Sequence, residues 1–165
     1  MFDSIISTLK LDNATVFKQD PTTGMAIYSN DGMRFEYPVK FDTDYAFLTV
    51  GTSVEKAVGS KSDTCDPTAN ALTINGIKFC STTSGDVGAG QLYTIYAYTT
   101  VHGGNTYTIS YSVQSSNGCG AYQNSPNLNS PENQRYNECL DFKKNYASIV
   151  TEPLKQSIST FTFTN

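Results

Sequence analysis

From Met33 to Phe41 the apolar residues Met33, Phe35, Tyr37, Val39 and Phe41 alternate with Arg34, Glu36, Pro38 and Lys40. This is the two-residue period of a strand buried on one face. Pro38 has no amide to give to a ladder, so it ends the strand or places it on an edge. Residues 45–50 predict a second strand, and the Lys-, Ser- and Asp-rich stretch from Val54 to Ala69 predicts a loop that carries Cys65.

Two hairpins follow. Asn75-Gly76 sits between the apolar runs 71–74 and 77–80, and a type I′ turn needs the positive φ that this dipeptide tolerates at both central positions. A longer hairpin is predicted over 91–114, turning at His102-Gly103-Gly104-Asn105; on its return strand Tyr107, Ile109, Tyr111 and Val113 point one way and Thr106, Thr108, Ser110 and Ser112 the other. The Gly-rich segment 85–90 between the hairpins reads as a flexible connection.

Residues 115–138 are rich in Ser, Asn, Gly and Pro with almost no apolar periodicity, which predicts a long loop. Beyond it Tyr146, Ile149, Val150, Leu154, Ile158 and Phe161 recur every three or four positions, the stripe of an amphipathic helix able to cover a sheet face. Pro153 leaves two arrangements open: Thr151 caps a short helix that starts near the proline, or a longer helix bends there. Residues 161–164 predict a closing strand. The expected class is α+β, an antiparallel sheet of hairpins with a C-terminal amphipathic helix packed on one face.

Composition sharpens this picture. Charged residues are only 16% of the chain, and 21 Thr, 17 Ser and 13 Asn make up much of its polar surface, a composition suited to half-buried strands and an extracellular surface. A net charge of −4 with 11 scattered Lys and Arg argues against nucleic-acid binding, which needs clustered cations. No apolar run approaches the roughly 20 residues of a membrane-spanning helix. The opening residues lack the charged and apolar regions of a signal peptide, so an exported form is expected to have lost its leader.

The cysteines are Cys65, Cys80, Cys119 and Cys139. None forms the close pair a structural zinc site needs, and two disulfides in an oxidising compartment are expected, with buried thiols in a cytosolic protein as the alternative. Of three connectivities, Cys65–Cys80 with Cys119–Cys139 is favoured, because each bond closes a polar loop onto a neighbouring element.

Residues 5–13 align without a gap on residues 157–165, with four identities and Leu in place of Phe at two alternating positions. With Ser and Thr so abundant, chance is one explanation of this match; the other is that residues 1–20 are an N-terminal helix/strand segment, the tail of a preceding repeat or a segment that adds to another subunit's sheet. Residues 21–165 form a single α+β domain on this reading.

The strand Phe35-Glu36-Tyr37-Pro38, the long hairpin 92–113 and the closing Ser159-Thr160-Phe161 together resemble the PsbP and Mog1 fold group. The pattern is similar as well to small exported or lipid-anchored bacterial domains of unknown function, and it extends from Tyr28 to Phe163. The resemblance implies an antiparallel sheet packed on helices and a non-catalytic role in holding partners together. It carries no binding residue across, and the two cysteine pairs and the Asn-rich loop depart from it.

Catalytic signatures are absent from the sequence. The single histidine, His102, stands beside two glycines and reads as a turn residue. No G-x-S-x-G elbow occurs, and Gly85 to Gly90 lacks the Lys-Ser/Thr of a phosphate loop. Asp63 and Asp66 flank Cys65, and Asp86 would come near them if the Cys65 bridge gathered the loops; a solvated acidic loop is expected there rather than a metal site. The 115–138 loop offers Tyr122, Asn124, Asn127, Asn129, Tyr136 and Asn137, a mixture suited to adaptable recognition. Asn13-Ala14-Thr15 fits a glycosylation sequon. The expectation is thus an exported or cell-surface interaction domain, without metal or cofactor, acting on a protein partner or by self-assembly. The alternative is a glycan or small-molecule binder that uses Tyr122, Asn124, Asn127 and Tyr136.

Overall fold

The computed structural model describes residues 18–19, 25–39, 48–59, 64–120 and 129–164. Its strands are β1 (Lys18–Gln19), β2 (Met25–Asn30), β3 (Met33–Pro38), β4 (Thr49–Val58), β5 (Asn70–Ile74), β6 (Ile77–Gly88), β7 (Gln91–His102), β8 (Asn105–Ser116) and β9 (Thr162–Phe163), with helices α1 (Pro131–Lys144) and α2 (Glu152–Ser159) between the last two. One sheet runs β1-β2-β3-β9 and the other β4-β8-β7-β6-β5. All their pairings are antiparallel.

Hairpin turns set this order. Asn75 and Gly76 have φ of 50° and 77°, and Asp31-Gly32 and Ala89-Gly90 show the same pair of positive angles, the geometry whose twist matches that of the flanking strands. The Asn75 side chain also makes a tertiary contact. Its Nδ2 donates to the carbonyls of Ser159 and Phe161, each at 2.9 Å, which fastens the turn to the end of α2.

Three sequence expectations change, and one of the two arrangements left open at Pro153 is removed. The segment 54–69 is not loop throughout, since β4 continues to Val58 with Val54 through Val58 paired to Ile109 through Asn105. A full row of partners on β8 outweighs the weak strand preference of Glu55 and Lys56. The segment 85–90 is not a flexible connection: β6 extends to Gly88 and only Ala89-Gly90 turn, before β7 begins at Gln91.

The 115–138 loop is shorter than expected at both ends, because β8 runs to Ser116 and α1 starts at Pro131. Ser130 caps α1 by accepting the Asn133 amide at 3.2 Å, Pro131 occupies the first turn, where its missing N–H has no helical partner to lose, and Lys143 and Lys144 lie in the last turn. The helix buries only Cys139 and Phe142, which is why it has no apolar stripe to read. At Pro153 the backbone of Thr151 is helical and its side chain caps nothing; a π-helical turn, Ala147–Thr151, leads into α2 instead. A wider turn is a common adjustment where the regular ladder is interrupted.

The core lies between the inner face of the larger sheet, β3 and α2. It is built from Phe35, Phe79, Ile109, Tyr111, Val113, Leu154, Ile158 and Phe161. Phe161 is its hub, edge-on to Phe79 with centroids 5.1 Å apart and 6.2 Å from Phe35.

Side chains of α2 and of its C-cap, Thr160, also complete β3. Strand β9 pairs only with Met33 and Arg34, and beyond it Ser157 Oγ donates to the Glu36 carbonyl while the Glu36 amide donates to Thr160 Oγ1 at 2.7 Å. That edge is thereby closed to other strands.

Candidate functional site

Two features of the larger sheet remain after the core is accounted for: a cleft at one end of β6 and an open backbone edge at the other.

The cleft forms where β6 leaves β7. Their pairing starts at Cys80 and Thr99, so Gly76, Ile77 and Lys78 diverge from Thr100, Val101 and His102, and a space of about 540 Å³ opens between them. Thr100 Oγ1 bridges the fork by donating to the Lys78 carbonyl at 2.8 Å. His102 ends β7 with its ring stacked on Phe163, centroids 3.8 Å apart and planes within 15°.

On the opposite wall stands Asp66, next to the Cys65–Cys80 bridge. Its carboxylate accepts from the Thr68 hydroxyl at 2.6 Å and the Thr68 amide at 2.9 Å. These bonds favour the ionised form and hold Asp66 below the usual carboxylate range. The cleft therefore combines an aromatic-backed imidazole, a fixed anion and several hydroxyls, chemistry for weak polar recognition. Among the described residues no three His, Cys, Asp or Glu side chains are grouped to hold a metal ion.

The other feature is the far half of β6. Strand β5 stops at Asn70, opposite Ser81, so Thr82 to Gly88 pair with β7 on one side and with no described strand on the other. All seven residues are exposed. Val87, Tyr93 and Ile95, on β6 and the adjoining part of β7, are three of the six large apolar side chains exposed among the described residues.

The structure joins Cys65 to Cys80 and Cys119 to Cys139, the nearest-neighbour connectivity. The second bond ties the end of β8 to α1, where Lys143 Nζ also donates to the Asn117 carbonyl at 2.8 Å. Of the residues proposed for recognition, Tyr122, Asn124 and Asn127 lie outside the described residues, and Tyr136 is half-buried on α1 rather than in a loop. Asp63 and the segments 1–13 and 40–47 lie outside them too. Asp86 does not meet Asp66: it sits six residues beyond Cys80 along β6, about 20 Å of extended strand.

The open edge is hard to see in the sequence because its glycines, Gly85 and Gly88, give it the composition of a linker. The signal it does carry is a strand-like stretch, Thr82–Gly88, placed opposite Leu92, Thr94 and Tyr96.

No protein-family model matches this chain. No curated protein matches it either. Among solved structures, a protein from Bacteroides thetaiotaomicron is similar over 90% of this chain at 10% identity, with a TM-score of 0.44. This chain spans 48% of that protein's length.

Proposed function

We propose that this chain is an exported interaction domain that works by assembling with protein rather than by catalysis. The observation that carries the reading is the far half of β6, a seven-residue exposed strand edge with no described strand against it, beside exposed Val87, Tyr93 and Ile95, in a molecule that closes its β3 edge with side chains of α2 and its C-cap. Exposed strand edges bind other strands readily and are usually blocked unless used. The two disulfides support an oxidising, extracellular setting. The reading includes a PsbP- and Mog1-like arrangement, with α2 as its closing amphipathic helix.

The test is chemical cross-linking on intact cells that make the protein. Assembly predicts cross-linked species larger than the monomer, reduced when Tyr93 and Ile95 are both changed to Ser. A chain recovered only as monomer would contradict it.

A second reading has its own observation, the cleft between Asp66 and His102, which suits a small polar ligand such as a sugar. A glycan array is its test: hits lost in His102→Ala support it, and a blank array removes it.

A further inference from the structure

We propose that the open edge of β6 pairs with the same edge of a second copy, antiparallel and centred on Gly85, to join two five-stranded sheets into one. This rests on the assembly reading above and names its surface and partner.

Backbone parity decides which groups face outward. In a two-residue hairpin the residues flanking the turn exchange both backbone hydrogen bonds, and orientation then alternates along the strand. Ile77 faces Ile74 across one such turn, so Phe79 and Ser81 also turn their backbone groups toward β5. Gly88 faces Gln91 across the next, so Ser84 and Asp86 turn theirs toward β7. The outward amides and carbonyls of the open half thus belong to Thr83, Gly85 and Val87.

These positions fit a two-fold pairing. The edge is bounded by the end of β5 at Ser81 and by the Ala89-Gly90 turn, and its midpoint is Gly85, an outward-facing residue. Pairing about that point sets Gly85 against the partner's Gly85 and Thr83 against the partner's Val87, all in hydrogen-bonding positions, and each copy's turn ends where the other's β5 begins. Closed two-fold contacts of this kind are self-complementary by construction.

Charge is compatible with the same register. The edge carries one charged residue, Asp86, which falls against the partner's Ser84, a hydroxyl donor, rather than against itself. Asp86 Oδ1 now accepts its neighbouring Val87 amide at 2.7 Å. Four interchain hydrogen bonds therefore form from the Thr83 and Gly85 amides without disturbing it.

The remaining long edge is guarded. Strand β4 displays Glu55 and Lys56, the charges that keep edges apart, whereas Thr82 to Gly88 contains no Lys, no Pro and no break in its register with β7. Pairing also covers Val87, which is 56% exposed, with a β-branched Thr83.

The experiment is sedimentation velocity on the oxidised full chain over a wide concentration range, with Thr83→Pro and Thr83→Ala compared by circular dichroism for intact folding. Proline at 83 removes an outward amide and no bond to β7. A dimer whose dissociation constant rises by about tenfold or more in Thr83→Pro, and changes little in Thr83→Ala, is the expected result. An association indifferent to proline at 83 overturns the edge pairing and leaves assembly standing. A purified chain that stays monomeric overturns the pairing as well; if it still cross-links to other proteins on cells the assembly reading survives, and if it does not, both fall.

Discussion

Tyr111 on β8 places its hydroxyl 2.6 Å from Ser157 Oγ on α2, and both residues are fully buried. Ser157 has one proton and gives it to the Glu36 carbonyl, so Tyr111 is the donor in this pair. One serine thus links the larger sheet, the helix and β3 through the middle of an aromatic core.

Ser157→Ala should destabilise the fold by about 1–3 kcal/mol in urea, because it leaves the buried Tyr111 hydroxyl and Glu36 carbonyl without partners. Tyr111→Phe alone should cost less than the serine change, since Ser157 keeps Glu36. The double variant should cost less than the two single changes together, as expected for residues sharing one network; strict additivity would mean that the hydrogen bond does not couple them.

Stability should fall above about pH 10, the ordinary tyrosine range. Burial pushes the Tyr111 hydroxyl well above that range, and burial raises Tyr98 and Tyr146 too. The unfolded chain then loses protons that the folded chain retains, so the contribution is complete below the unfolded value and is lost as pH rises toward the folded one. Urea midpoints measured across this window should drop less steeply in Tyr111→Phe than in the parent.

Each disulfide closes a modest loop, with sequence separations of 15 and 20 residues, and its removal should cost roughly 3 kcal/mol in the chain-entropy account. The two losses differ in place. Cys119→Ser with Cys139→Ser should free α1, seen as faster amide exchange over residues 131–144, because that helix buries little else. Cys65→Ser with Cys80→Ser should leave α1 protected and loosen the Asp66 wall of the cleft. Intact mass with and without reduction should show two bridges in protein taken from its own cells.

The turns are the most legible part of the chain, since positive φ at Asn75-Gly76 and Gly103-Gly104 leaves few alternatives for those dipeptides. Asp31-Gly32 is an equally clear turn signal, but β2 before it is a six-residue strand with apolar and polar positions mixed, and it does not stand out beside Met33 to Phe41. Helix α1 is obscure because only Cys139 and Phe142 among its residues are buried, although Ser130-Pro131 marks its start. Candidate sites are less legible still. The cleft depends on where β6 parts from β7, and the open edge depends on where β5 stops, and both are set by pairing between distant segments rather than by any local motif.

The most direct measurement is amide hydrogen exchange, residue by residue, along Thr82 to Gly88 at increasing protein concentration. Edge pairing predicts that the outward amides of Thr83 and Gly85 slow as concentration rises, while those of Ser84 and Asp86, already bonded to β7, stay slow throughout. Thr83 and Gly85 amides that exchange at the open-chain rate at every concentration would contradict it.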